Sequence, residues 1–222
     1  MAIRRGNSRY FCALALLAAC LATATCADAE ILFQTATSGP TGQTCGQGLA
    51  VDSNFFPGTR FQLTQPAVTS AVGGHFLPTD FVTPRTVFGA IVRLTGPDDF
   101  ADSADLSTTD VLGTTLITVP PTGSTNVSGP LVLSLSPGWY ALEFGSGRFG
   151  ATGDSGLISG NSLVGTPDIF SVRQSDGNIA FQASEPRMFV EGTSVPEPGT
   201  GGILLALIVM SVRRRVKPRS GI

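Results

Sequence analysis

Apolar and polar side chains change places at every second residue along much of this chain, the period at which a β-strand turns successive side chains to opposite faces. In TRFQLT, Phe61 and Leu63 alternate with Arg60, Gln62 and Thr64, and in VFGAIVRL, Phe88, Ala90, Val92 and Leu94 share one face. The most regular stretch is PLVLSLSPGWYALEFGSG. Leu131, Leu133 and Leu135 line one face, Pro137-Gly138 supplies the residues of a type II turn, and Tyr140, Leu142 and Phe144 resume the apolar face, which predicts a hairpin. With similar runs at ILFQTAT, AVTSAVGGHF, TTLITV, DIFSVRQ, NIAFQ and RMFVEG, the pattern predicts about ten short strands separated by turn residues. The expected fold is all-β, a jelly-roll-like β-sandwich.

Composition agrees. Of 222 residues, 27 are Gly and 15 are Pro, and only 14% are charged, which disfavours long helices and suits strands joined by turns. The 42% of apolar residues is enough for one sizeable core.

Both ends depart from the alternation. Arg4, Arg5 and Arg9 precede the apolar run YFCALALLAACLATATC, the charged-then-apolar order of a secretory signal. Ala27-Asp28-Ala29 offers small residues at both positions read by signal peptidase, so the mature chain would begin near Glu30; cleavage after Ala27 fits the same rule. A competing reading is Leu17-Ala18-Ala19-Cys20, which has the form of a bacterial lipoprotein signal and would place a lipid on Cys20. Removal of the signal takes Cys12, Cys20 and Cys26 with it and leaves Cys45 alone, so no intramolecular disulfide is expected. Cys45 reads as a small, half-buried residue with nothing nearby in sequence to activate it.

The other end, SVPEPGTGGILLALIVMSVRRRVKPRS, combines Pro196-Glu197-Pro198, an apolar run from Gly201 to Val212 and the basic cluster Arg213, Arg214, Arg215, Lys217 and Arg219. As a helix, such a run reaches about 20 Å against about 30 Å of hydrocarbon, short for a permanent span. The basic cluster would stay on the cytoplasmic side of the inner membrane and leave the main body outside. The expected organisation is a signal peptide over 1–29, an exported β-domain over 30–193 and a tail over 194–222.

Charge separates the same parts. Between Glu30 and Val195 six arginines and no lysine stand against fourteen carboxylates, a net charge of 6 − 14 = −8. Such a body repels phosphate backbones, so nucleic acid is not an expected partner; divalent cations or neutral glycans suit it better.

The tail resembles the PEP-CTERM sorting signal, in which a Pro-Glu-Pro, a short apolar helix and a terminal arginine block follow in this order. The likeness covers about the last twenty-five residues. It departs from the usual pattern in having Ile, Val and Met where Leu and Gly dominate, and in the seven residues that follow the arginine triplet. The resemblance implies recognition of Pro196, Glu197 and Pro198 by an exosortase, a membrane-embedded cysteine transpeptidase-like enzyme, with Arg213, Arg214 and Arg215 as the stop signal. It further implies a Gram-negative host that makes exopolysaccharide, and delivery to the cell surface or matrix. PGWYALEFGSGRFGATGDSGL and GPDDFADSADLSTTDVLGTTL resemble, more loosely, the extracellular domains called choice-of-anchor, which implies no biochemical activity.

Candidate chemistry is sparse, and no catalytic residue is expected. Gly153-Asp154-Ser155-Gly156 matches the nucleophile motif of chymotrypsin-like proteases and His75 precedes it, but His75 is the only histidine. Its context VGGHFLPTD lacks Ala-Ala-His-Cys, and no Gly-Gly-Pro follows Ser155. One His and one mature Cys cannot build a zinc or redox-metal site without carboxylates, and no phosphate-binding loop is present. GPDDFADSADLSTTD carries the one constellation with ligand chemistry: Asp98, Asp99, Asp102 and Asp105, with Asp110 beyond, are hard oxygen donors that could take calcium weakly. They lack EF-hand spacing, and a solvated loop or a short aspartate-capped helix is the plainer reading. Trp139 and Tyr140 could stack on sugar rings, although alternation turns one of them inward. Two function classes stay open: a structural or adhesive surface protein in a biofilm, and a carbohydrate-binding or carbohydrate-active module recognising extracellular polysaccharide.

Overall fold

A computed structural model describes residues 29–182 and 184–195. Its first strands are β1 (Glu30–Gln34), β2 (Ala36–Thr37), β3 (Gly48–Val51), β4 (Phe55–Leu63) and β5 (Ala67–Pro78). Then come β6 (Arg85–Leu94), β7 (Val111–Val119), β8 (Thr125–Pro130), β9 (Ser134–Leu135) and β10 (Gly138–Gly145). The last are β11 (Ser155–Ile158), β12 (Ser162–Leu163), β13 (Ile169–Arg173), β14 (Ile179–Phe181) and β15 (Met188–Ser194). The fold is all-β, with antiparallel pairing throughout these strands and one sheet curled into a half-barrel.

A seven-stranded sheet runs β1-β15-β5-β11-β3, with β8 and β9 also pairing with β5; a six-stranded sheet runs β14-β13-β4-β10-β6-β7; β2 and β12 form a small ladder. Between the two large sheets lies the main core. Tyr140, Leu142 and Phe144 of β10, Phe61 of β4 and Ile91 of β6 meet Val72 and Phe76 of β5, Leu157 of β11 and Val190 of β15. Phe76 and Phe144 touch edge to face across this core at 5.2 Å between ring centroids.

The predicted hairpin does not form. Leu131, Leu133, Leu135, Tyr140, Leu142 and Phe144 do belong to the one main core, as the alternation requires. Yet β9 pairs with β5 while β10 pairs with β4 and β6, so Pro137-Gly138 carries the chain from one sheet to the other. Alternation fixes which side of a strand is apolar but not which strand lies beside it. The Tyr140 hydroxyl holds this crossing by donating to the Ser136 carbonyl at 2.7 Å.

The six-stranded sheet is apolar on its second face as well. Phe88, Ala90, Val92 and Leu94 share that face as predicted, and with Phe56, Ala141, Phe170 and Val172 they form a second core. It is covered by the sixteen-residue connection from Thr95 to Asp110, which inserts Phe100, Ala101, Ala104 and Leu106. A loop this long without regular structure usually has a function of its own. Leu106 is 2% exposed and adopts φ = +55°, a left-handed conformation that the surrounding contacts must hold in place.

The first and last strands lie side by side. β1 pairs antiparallel with β15, Glu30 opposite Gly192, and a Glu30 carboxylate oxygen accepts from the Ser194 hydroxyl at 2.6 Å and from its amide at 3.2 Å. The two strands enter and leave the body at the same pole.

Candidate functional site

Strand β10 passes through the middle of the six-stranded sheet, and its alternation sends Trp139, Ala141 and Glu143 to the face covered by the 95–110 connection. Opposite Glu143 stand Gly58 on β4 and Ala90 on β6. These small residues make the room: a Cβ on Gly58 would lie 2.8 Å from Cγ of Glu143 and 2.5 Å from the Phe170 ring. Glu143 is fully buried, and among the described residues neither of its carboxylate oxygens has a hydrogen-bond donor. Burial, and secondarily the charge of Asp110, push its pKa up to about 8.

Glu143 lines a cavity of about 60 Å³ with Phe100, Ala101, Ser103 and Ala104 of the covering loop and Val172 and Ile179 of the sheet. Asp110 closes the loop by accepting from the Asp102 amide through Oδ2 at 2.8 Å, and its buried Oδ1 has no donor among the described residues. Gln174 donates through Nε2 to the carbonyl of Ala104 at 2.6 Å, and its buried Oε1 likewise has no partner among the described residues. Arg60, the buried cation of the same face, is turned to Asp168 at 3.0 Å and sits over the Phe100 ring at 4.9 Å.

The aspartates singled out in the sequence surround this place without converging. Asp98 is exposed. Asp99 accepts from the Thr95 amide and hydroxyl, both at 2.7 Å, and these bonds hold its carboxyl below the usual range. Asp102 contributes its backbone to Asp110, and Asp105 pairs with Arg148 at 3.2 Å, with Ser107 and Ser103 holding its carboxyl low. The stretch forms turns and bends, with no helix. Among the described residues no three carboxylate, imidazole or thiol groups gather as a metal site.

The protease-like residues are occupied elsewhere. Ser155 opens β11 and donates its hydroxyl to the Leu77 carbonyl at 2.9 Å. His75 is buried on β5, its Nδ1 at 2.8 Å from Oδ1 of Asn161, whose amide nitrogen donates to the carbonyls of Ile158 and Glu185. That arrangement makes Oδ1 the acceptor and puts the imidazole proton on Nδ1. No hydrogen bond joins His75 to Ser155, so the serine has no base to activate it.

Cys45 is exposed, against the expected half-buried position, because the 38–47 stretch runs over the surface outside any strand. Tyr140 is buried in the main core, and Trp139 is half-buried against the second, so the aromatic pair offers no exposed stacking platform. Pro196, Glu197 and Pro198, and Arg213, Arg214 and Arg215, lie outside the described residues, as does the 1–28 stretch. Among the described residues no helix is long and apolar enough to cross a membrane.

Glu143 escaped the sequence reading because a carboxylate on the polar phase of an alternating strand looks solvent-facing. A signal did exist: its neighbours in VFGAIVRL carry Phe88, Ala90 and Val92 on the corresponding phase. No protein-family model matches the chain, and no curated protein matches it in sequence.

Proposed function

We propose that this chain is an exported cell-surface or extracellular-matrix protein, delivered by a PEP-CTERM-type tail and serving a structural or adhesive role among exopolysaccharide. The observation that carries the reading is the pairing of β1 with β15 and the clasp of Ser194 by Glu30. Both sequence signals then attach to one pole of a compact body, and the opposite pole and both sheet faces stay clear of the membrane while the tail is processed. Signal peptidase would release the chain beside β1, and an exosortase would act a few residues beyond β15, at Pro196, Glu197 and Pro198. The acidic character of the body suits an exterior rich in calcium and neutral glycan. For the fold, the crossing from β9 to β10 between sheets and the return of β15 beside β1 support the jelly-roll reading of the sandwich.

Fractionation of an exosortase-containing Gram-negative host tests this. The wild-type chain is expected in the surface or matrix fraction. Pro196→Ala/Glu197→Ala/Pro198→Ala is expected to stay with the inner membrane. An unchanged distribution for the triple variant would refute sorting through this motif.

A further inference from the structure

We propose that a polar groove at the pole farthest from the tail is where this protein takes up a neutral polysaccharide chain. The inference deepens the adhesive reading and rests on it for the ligand's setting, while the binding itself needs no sorting enzyme. The turn between β3 and β4 and the connection from Ser146 to Asp154 between β10 and β11 border a groove of about 610 Å³. That lies within the range of about 300–1,000 Å³ usual for ligand sites. Its position follows from the strands. Asp154 precedes Ser155, which stands opposite Pro78 at the end of β5, and Ala67 at the other end of β5 stands opposite Ser194. Twelve residues of strand put about 35 Å between the groove and the pole where the tail leaves.

The chemistry of the lining selects the ligand. Asp52, Ser53, Asn54, Ser146, Thr152 and Asp154 line the groove, and Phe55 adds one half-buried ring. Among the described residues no cation lines it, and the nearby Arg85, Arg148 and Arg173 are paired with Asp80, Asp105 and Asp176. A polyanion finds no counter-charge there. Hydroxyls and a carboxamide both donate and accept, which matches a sugar hydroxyl that does the same, whereas an ammonium only donates. The two carboxylates add strong acceptors. Asp52 receives the amides of Asn54 and Phe55 on Oδ1 at 2.7 and 2.8 Å, and among the described residues no hydrogen bond engages its Oδ2 or the carboxylate of Asp154. The walls are fixed. The Ser146 amide donates to the Asp52 carbonyl at 3.1 Å, the Gly153 amide to the Thr86 carbonyl at 2.9 Å, and the Thr79 hydroxyl to the Asp154 carbonyl at 3.1 Å. Gly147, at φ = +74°, lets the walls approach, since a Cβ there would lie 2.9 Å from Cβ of Ser53. A groove formed in advance loses little freedom on binding.

The test is surface plasmon resonance of the purified protein over immobilised neutral glucan, mannan and galactan, with alginate and polylysine as charged comparisons. It is repeated on Thr152→Trp, which fills the groove from an exposed position, on Asp154→Ala, which removes an exposed carboxylate, and on Gln65→Trp at the tail pole. Each variant is melted alongside to show that it folds. The wild type and Gln65→Trp are expected to bind at least one neutral polymer equally well, and not alginate. Asp154→Ala is expected to weaken that binding about tenfold, as the loss of a hydrogen bond to a charged group does, and Thr152→Trp to remove it. Binding to none of the three neutral polymers would overturn the proposal, as would binding that Thr152→Trp leaves unchanged. Binding to polylysine alone would overturn it in favour of a basic peptide. Since the protein is purified, such a failure leaves the sorting reading standing, whereas a chain that binds glycan but is not sorted refutes sorting alone.

Discussion

In a chelating buffer, Glu143→Gln is expected to stabilise the protein at pH 7 and to remove most of its loss of stability between pH 5 and pH 8. The sign follows from linkage. Burial, and next the charge of Asp110, raise the carboxyl to about 8 in the folded protein, while in the unfolded chain it titrates at the ordinary value near 4.5. Below 4.5 the group is protonated in both states and costs nothing. As pH rises, the unfolded chain releases the proton and the folded one keeps it, so stability falls by about 1.4 kcal/mol per pH unit until the folded group itself ionises near 8. Over pH 5 to 8 that amounts to about 4 kcal/mol, lost from the wild type and retained in the Gln variant. The lowered carboxyls of Asp80, Asp99 and Asp105 act in the opposite sense and in another window, since their contribution is lost as pH falls below the ordinary range. Urea unfolding at closely spaced pH values measures the slope. Parallel curves for the two proteins would mean that Glu143 is not the buried acid described above.

Phe144→Ala is expected to be the most damaging single truncation of the core. Phe144 is fully buried at the centre of the six-stranded sheet, and its ring meets Phe76 from the opposite sheet at 5.2 Å. Removing it leaves a cavity where the two sheets face each other, which costs about 3 to 5 kcal/mol. The expected result is a lower urea midpoint with little change in slope. A loss below about 1 kcal/mol would show that the sheets are held together elsewhere.

The two predictions concern opposite sides of one strand, and they mark what could be read from sequence. Tyr140, Leu142 and Phe144 were legible as a buried face because alternation is a local property. The partner of that strand was not, because Pro137-Gly138 serves equally well as a hairpin turn or as a crossing between sheets, and only long-range packing decides. β3, β8, β11 and β12 were missed: GLAV, SGLI and SL are too short to display a period, and TNVSGP has too few apolar residues to define a face. The acidic loop was legible as a cluster in sequence, but its carboxylates do not converge. Asp99 serves Thr95, Asp105 serves Arg148 and Asp110 serves the Asp102 amide. Glu143 was invisible for the converse reason. Its significance lies in being covered, and coverage of a second sheet face by the residues between β6 and β7 is a property of the whole fold.

The pole at which Glu30 meets Ser194 gives the sorting proposal its geometric content, since both processing events would fall within a few residues of that contact. Intact-mass measurement of the protein recovered from the surface fraction of an exosortase-containing Gram-negative host is the most direct test. One species is expected, beginning near Ala27 to Glu30, carrying no lipid and ending between Pro196 and Gly199. Recovery only of chains that end at Ile222, or of a species that retains a lipid-modified Cys20, would contradict it.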